Sequence, residues 1–405
     1  MNYRTRIVTD LAEIGRKRWD ALLASTAALN AHSIGEVNPF LRYGFLSALH
    51  ETGCTDAETG WIPEFLTLWE DDELVGAVPL YRKFHSYGEY VFDWAWADAY
   101  QRHGLDYYPK LLSAIPFTPV EGPRLLACDA AVRRALGHAL VKYAKASGMS
   151  SLHVLFPEEA EADALEAVGC MKRSGVQFHW TNAGYASFDE FVDTLDRKKR
   201  KNIRAERRKV AEAGVTLRRV EGRDASEAEW RFFTRCYNHT YRVHHSSPYL
   251  NLAFFLRIGQ AMPENLLLVI AERNIDGVAR PIAASLVVFT PTTLYGRYWG
   301  ETGDPQAHVP CLHFECAYYQ PLEFCIARGI RHFEGGAQGE HKMARGFLPV
   351  KTCSLHWLAH PAFEQAVEDF LARESLGIAR YIDELNERDP FKGAGSRAYA
   401  AGDAP

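Results

Sequence analysis

The densest gathering of ionisable side chains falls in one short stretch, FEGGAQGEHKMARGF, at residues 333–347. It sets Glu334, Gln338, Glu340, His341, Lys342 and Arg345 among Gly335, Gly336 and Gly339, which free the backbone for close approach. Acids, an imidazole and cations in one turn match the needs of acyl transfer to an amine. A base must take the amine's proton, a role open to Glu334 or His341. A cation or a backbone N–H must hold the developing oxyanion, a role open to Lys342 or Arg345. These four are the candidate catalytic residues, since a purely structural turn needs no such collection.

A second cluster is basic. Between Arg197 and Lys209 stand nine Lys or Arg residues against one acid, Glu206, in a chain of net charge −5. Such a focus suits phosphates, and Lys199, Arg200 and Arg204 are its candidate donor-binding residues, with a solvated helix face as the alternative. The strand TTLYGRYWG adds Arg297, which must meet an anion or a carboxylate because burying it alone is costly; a ligand phosphate and an internal pair with Glu334 are both open. Period-two alternation puts Tyr295, Arg297 and Trp299 on one face. The segment FDWAWADAY offers Asp93, Trp94, Trp96 and Asp98, which with Tyr295 and Trp299 form the candidate acceptor-binding set of aromatics and acids.

Neither His239, His244 and His245 nor Cys311, His313, Glu315 and Cys316 has the spacing of a zinc site, so no metal is expected. No G-x-S-x-G elbow, Walker loop or G-x-G-x-x-G after a strand is present, which argues against hydrolase, NTPase and dinucleotide-dependent chemistry.

Elements must hold these residues. Asn38, Pro39 and Gly53 predict a helix over about 39–52. EFLTLWEDDELVGAVPLYRK predicts a hairpin turning at Asp71-Asp72, and a related hairpin returns at NLLLVIAERNIDGVARPIAASLVVF, about 200 residues later. Each is preceded by helical sequence and followed by strand, helix and strand signals, so the chain reads as a duplicated mixed α/β unit. The expected divisions are 1–180, connecting helices at 181–214 including a basic helix from Asp196 to Gly214, 215–390 with a C-terminal helix, and a disordered tail at 391–405. At 405 residues, 47% of them hydrophobic, two domains are natural. The eight cysteines contain no C-x-x-C pair and are expected to be reduced. No stretch approaches the roughly 18 apolar residues of a membrane span and no secretory h-region follows the N-terminus, so a cytoplasmic location is expected.

Four segments in order resemble the Fem family and the related N-acyltransferases described as peptidoglycan biosynthesis/recognition proteins. They are IPFTPVEGPRLL with LVKYAKASGMSSLHVLFP; RKKRKNIRAERRKVAEAGV; LLLVIAERNIDGVARPIAASLVVFTPTTLYGRYWG; and LHFECAYYQPLEFCIARGIRHFEGGAQGEHKMARGF, spanning Ile115 to Val350. The resemblance implies an α/β fold of two GNAT-like acyl-CoA N-acyltransferase domains in tandem, and transfer of an acyl or aminoacyl group to a small-molecule or peptide amine. It implies no tightly bound cofactor; acyl-CoA would be a co-substrate. The loop that carries the Q/R-x-x-G-x-G/A pyrophosphate signature in acetyl-CoA enzymes reads WGETGDPQAHVP here. The donor therefore stays open between acyl-CoA and aminoacyl-tRNA, with a non-catalytic binder of cell-wall precursors as a third reading.

Overall fold

Turn chemistry sets the first contacts. The computed structural model describes residues 3–29, 36–305, 307–337 and 339–392. Asp71, at φ 52°, folds Phe65–Glu70 back on Glu73–Val78. Asp276 and Gly277, both with positive φ, form the two-residue turn that joins Leu266–Ile275 to Val278–Phe289. Both hairpins match their sequence signals. The helix expected over 39–52 is instead broken. Pro39–Leu41 is a single 3-10 turn capped by Asn38, whose side chain accepts from Phe40 N–H, and the α-helix runs only over Tyr43–Glu51. Arg42 stays extended at ψ 145° because its guanidinium reaches Glu264 and Asn265 and because Asp20 takes the N–H of Tyr43. A distant partner overrides the local helix signal.

The strands form two sheets. Arg4–Val8, Phe65–Glu70, Glu73–Val78 and Leu126–Ala127 make the smaller. The larger has eleven strands in the order Val215–Glu221, Leu266–Ile275, Val278–Phe289, Thr293–Glu301, His332–Glu334, Met171–Thr181, Leu348–Leu358, Ser151–Leu155, Lys110–Ser113, Leu80–Lys83 and Trp61–Pro63. Among the described residues two neighbouring pairs are parallel, Lys110–Ser113 with Ser151–Leu155 and Thr293–Glu301 with His332–Glu334. Parallel neighbours need a crossover, and each pair has one: the helix Ala130–Ala146 in the first half, and in the second a helix that opens as a π-turn at Glu315–Tyr319 and continues as Gln320–Arg328. The same strand, helix, strand unit thus occurs twice in a mixed sheet.

The sheet runs without interruption across the expected boundary near residue 180. Leu348–Leu358 lies antiparallel between Met171–Thr181 and Ser151–Leu155, and Met171–Thr181 also pairs with His332–Glu334. One core joins the halves: Leu23, Phe40 and Tyr81 cluster with Phe233, Phe255 and Tyr295. On the opposite face, Phe191, Leu195 and Ile203 pack with Tyr319, Phe333 and Phe347. The helix Pro361–Glu387 crosses back over Met171–Thr181, where Glu374 and Arg173 form a bidentate pair at 2.8 Å. Residues 393–405, most of the tail expected to be disordered, lie outside the described residues, as does Gln338. None of the described helices is long and apolar enough to cross a membrane.

Candidate active site

The site is built where two parallel strands part. Thr293, Leu294 and Tyr295 pair with His332, Phe333 and Glu334, and there the ladder ends. One strand continues to Glu301 while the other turns off at Gly335 and Gly336. Gly336 adopts φ 82°, a conformation that side chains rarely take, and a Cβ on Gly296 would press on the Phe333 ring at 3.2 Å. A fork at the ends of parallel strands leaves main-chain groups without a neighbouring strand, which is where α/β folds place ligands. A cleft of 330 Å³ occupies it, lined by Gly296, Arg297, Tyr318, Gly335, Gly336, Ala337 and Lys342 of the second half and Tyr90, Phe92 and Pro119 of the first.

A β-bulge aims Arg297. Leu286 pairs with Tyr298 and Val287 with Gly296, so Arg297 is an extra residue without a cross-strand partner. Its guanidinium reaches the first half, donating to Phe117 O at 2.7 Å and lying over the rings of Tyr298 and Phe40. It makes no ion pair with Glu334 among the described residues, which removes the internal-pair reading. The extra residue also shifts the strand's parity. Tyr295 sits in the core shared by both halves, whereas Trp299 packs on the opposite face near Val309 and Cys316. Tyr295 and Trp299 therefore do not act together as the alternation implied, because one inserted residue turns all later side chains over.

Glu334 stands at the fork beside Tyr295. Its Oε2 is shut off from solvent with no hydrogen-bond partner. Burial and then the nearby Glu121 push its carboxyl up to about 8, against the opposing pull of Arg297. Lys342 projects from the 3-10 turn Glu340–Arg345, and its Nζ donates to Gly336 O at 2.9 Å. Burial draws its ammonium down to about 8. His341 is more exposed, 3.3 Å from the Tyr318 hydroxyl, and burial, Lys342 and Arg345 lower its pKa. Lys342 thus lines the cleft and His341 reaches its Tyr318, while Glu334 stands one residue before the cleft's Gly335, opposite Tyr295 in the ladder.

Arg345 is engaged elsewhere. Its guanidinium grips both oxygens of Glu206, at 2.9 and 3.1 Å, and lies 3.4 Å over the Phe314 ring. It fastens the 340–345 turn to the basic helix, with Nη2 on Glu206 and Nη1 on the His341 carbonyl, and it is not part of the cleft lining. Removing one partner of a buried pair strands the other. Arg345→Met should therefore cost about 3 kcal/mol in urea unfolding, while kcat of the folded variant stays within about twofold of wild type.

The basic helix forms over Arg197–Glu212, with Gly214 in the left-handed stop position, and packs beside that turn. Part of its charge is used internally. Arg200 donates to the Leu195 carbonyl at 2.9 Å, Arg204 pairs with Asp193 at 2.7 Å, and Arg207 holds Glu315 and Glu323. Arg197, Lys198, Lys199, Lys201 and Lys209 form no ion pair among the described residues. Free charge therefore resides in Arg197 and the lysines, and Arg200 and Arg204 are largely structural.

The proposed acceptor set also divides. Asp93 and Trp96 face inward: Asp93 joins a buried network with Lys110, Ser86 and Tyr107, and Trp96 stacks on His153. Burial opposes ionisation of Asp93, yet the Lys110 ammonium holds its carboxyl well below the usual range. Asp98 faces solvent and pairs with Arg102 one turn on, and only Trp94, 41% exposed and stacked on Phe92, is open to a ligand. The residues that sequence reasoning missed include Tyr318, set by the π-turn, and Glu121, in the VEGP segment. The Gly-Pro marked that segment as distinctive, but nothing local placed it against Glu334.

Two strand-and-crossover units in one mixed sheet, parting at a fork, make up a fold of the tandem GNAT-like class. A family model described as peptidoglycan biosynthesis/recognition matches residues 10–393, and the chain belongs to this FemAB-like family. Among solved structures it is similar to FemX, at 12% identity over 90% of this chain and 100% of that one, with a TM-score of 0.53. It is also similar to a protein of unknown function from Bacteroides thetaiotaomicron, at 11% identity over 88% and 100% of the two chains and a TM-score of 0.50. A tandem GNAT protein from the clavulanic acid biosynthesis pathway matches at 12% identity over 89% and 99%, with a TM-score of 0.46. No curated protein matches the sequence. Family and fold together place the chain among the acyltransferases of peptidoglycan biosynthesis.

Proposed function

We propose that the chain is an N-acyltransferase that moves an acyl group from a thioester such as acyl-CoA to an amine at the fork between Thr293–Glu301 and His332–Glu334. The observation that carries this reading is the cleft at the parting strands, lined by Lys342, a cation with lowered pKa, with the unpartnered carboxyl of Glu334 one residue before its Gly335. The amine nitrogen bonds to the carbonyl carbon as the carbonyl–sulfur bond breaks. Glu334 takes the proton that the nitrogen loses, Lys342 faces the oxyanion of the tetrahedral intermediate, and the leaving thiolate collects a proton as the thiol departs.

A second reading takes aminoacyl-tRNA as donor, in which case an ester carbon–oxygen bond breaks. The unpaired lysines of the basic helix favour it, because they present charge to solvent beside the turn that carries Lys342. Single-turnover assays with acyl-CoA thioesters and with aminoacyl-tRNA decide between the two. Charge reversal of Lys198, Lys199 and Lys201 together should weaken binding of the phosphate-bearing donor at least about tenfold and flatten its salt dependence, leaving the melting temperature unchanged. Salt-insensitive binding equal to wild type would reduce the helix to a solvated surface. Transfer from neither donor would leave the binding-protein reading.

A further inference from the structure

A second pocket opens beside Tyr295, the cross-strand neighbour of Glu334. It measures 280 Å³ and is walled by Glu36, Asn38, Glu121 and Glu158 from the first half and by Thr293 and Tyr295 from the second. Tyr295 belongs to the same strand as Gly296 and Arg297 of the cleft, and Glu121 follows Pro119 of the cleft by two residues. The strand Thr293–Glu301 therefore borders both spaces, and Glu334 is the ladder partner of its Tyr295. The charge nearest in effect on Glu334 is Glu121 of the pocket, followed by Arg297 of the cleft. Burial first, and then the carboxyls of Glu334, Glu36 and Glu158, hold the Tyr295 hydroxyl well above the usual phenol range.

Three carboxyls, Glu36, Glu121 and Glu158, line the pocket, with the buried Arg124 behind Glu121. Glu36 accepts from the N–H and hydroxyl of Thr292, and Glu158 caps the helix Glu159–Glu166. Among the described residues Glu121 has no ion-pair partner and Glu334 Oε2 has no hydrogen-bond partner. The cations on the pocket wall, Arg331 and His332, are exposed. A buried, unpartnered carboxylate oxygen next to other carboxylates is an arrangement that a cationic ligand completes.

We infer that this pocket receives the acceptor as an alkylammonium ion and delivers its nitrogen past Tyr295 to Glu334, with the donor entering from the opposite cleft. The inference rests on the acyl-transfer reading for its direction of delivery. The balance is complete without a further reactant. An alkylammonium and a thioester give an amide, a thiol and one proton. The ammonium loses its first proton to Glu334 before attack and its second as the amide forms; one ends on the thiolate and the other leaves to solvent. Uncharged nucleophiles such as alcohols gain nothing from Glu121 and are poor acceptors.

The test uses the full chain and small probes, n-butylammonium and its uncharged counterpart 1-butanol, titrated by calorimetry. The expected result is saturable binding of the ammonium, at least tenfold weaker binding of the alcohol, and at least a tenfold loss of ammonium affinity in Glu121→Gln. Should that variant misfold, Glu36→Gln, which keeps an oxygen for Thr292, should show a loss in the same direction. Equal affinity for both probes, no binding of either, or a folded Glu121→Gln that binds as wild type does would overturn the inference. The two readings fail separately. Ammonium binding that depends on Glu121 without transfer from any donor keeps the pocket and removes the acyltransferase; transfer with ammonium affinity indifferent to Glu121 does the reverse.

Discussion

Glu334→Gln should lower kcat about 10²-fold with little change in KM, because the amide matches the carboxyl in shape but cannot accept the amine's proton. The effect has a pH signature. With the carboxyl raised to about 8, wild-type turnover should climb as pH rises through that value and Glu334 ionises, and the variant should lose this limb. Stability moves the other way. An acid whose folded pKa lies above its unfolded value near 4.3 favours the folded state most when protonated, so its contribution falls as pH rises from about 4.5 to 8. Glu334→Gln removes that penalty, of order 4 kcal/mol at the top of the range, so its melting temperature relative to wild type should improve between pH 5 and pH 9. Had Glu334 and Arg297 formed a buried pair, the variant would be destabilised at pH 9. A stable Glu334→Gln with full activity at every pH would move the base elsewhere.

Lys342→Met should cost a similar factor, about 10² in kcat, by removing the positive charge that faces the oxyanion. Methionine fills the stem's volume and should leave the fold standing. Burial draws the Lys342 ammonium to about 8, so the charge is lost above that pH and wild-type activity should fall on the alkaline side. A base that works when ionised and a donor that works when protonated, both centred near 8, give a narrow bell. Lys342→Met should lose the alkaline limb and Glu334→Gln the acidic one. If Lys342→Met keeps the alkaline limb, that limb belongs to another group and Lys342 serves only to hold Gly336.

Local signals were legible where local physics decides. The turns at Asp71 and at Asp276–Gly277 and the helix stop at Gly214 need left-handed backbone, and sequence announces such positions. The run 333–347 was visible as a collection of ionisable groups, yet it could not be sorted from sequence alone. What assigns Arg345 to structure is Glu206, more than a hundred residues away, and what draws Asp93 inward is Lys110 on another strand. The parity of Trp299 was lost for a related reason. A bulge is a property of two strands in register, and neither strand's alternation records it. Glu121 was invisible as a site residue because its pocket exists only once the halves share a core.

The insertion of Leu348–Leu358 between Ser151–Leu155 and Met171–Thr181 governs the order in which the molecule can be made. During synthesis the strands of the first half emerge with a gap at their centre, and the segment that fills it leaves the ribosome only after nearly two hundred further residues. Until then Ser151–Leu155 and Met171–Thr181 are both open edges, the exposed pairing surfaces on which chains aggregate. Final closure joins residues far apart in sequence, so it must bear the loop-closure entropy of a long intervening chain before any contact rewards it. The nascent first half is therefore a client for holding factors rather than a finished module, and maturation becomes a late, whole-chain event.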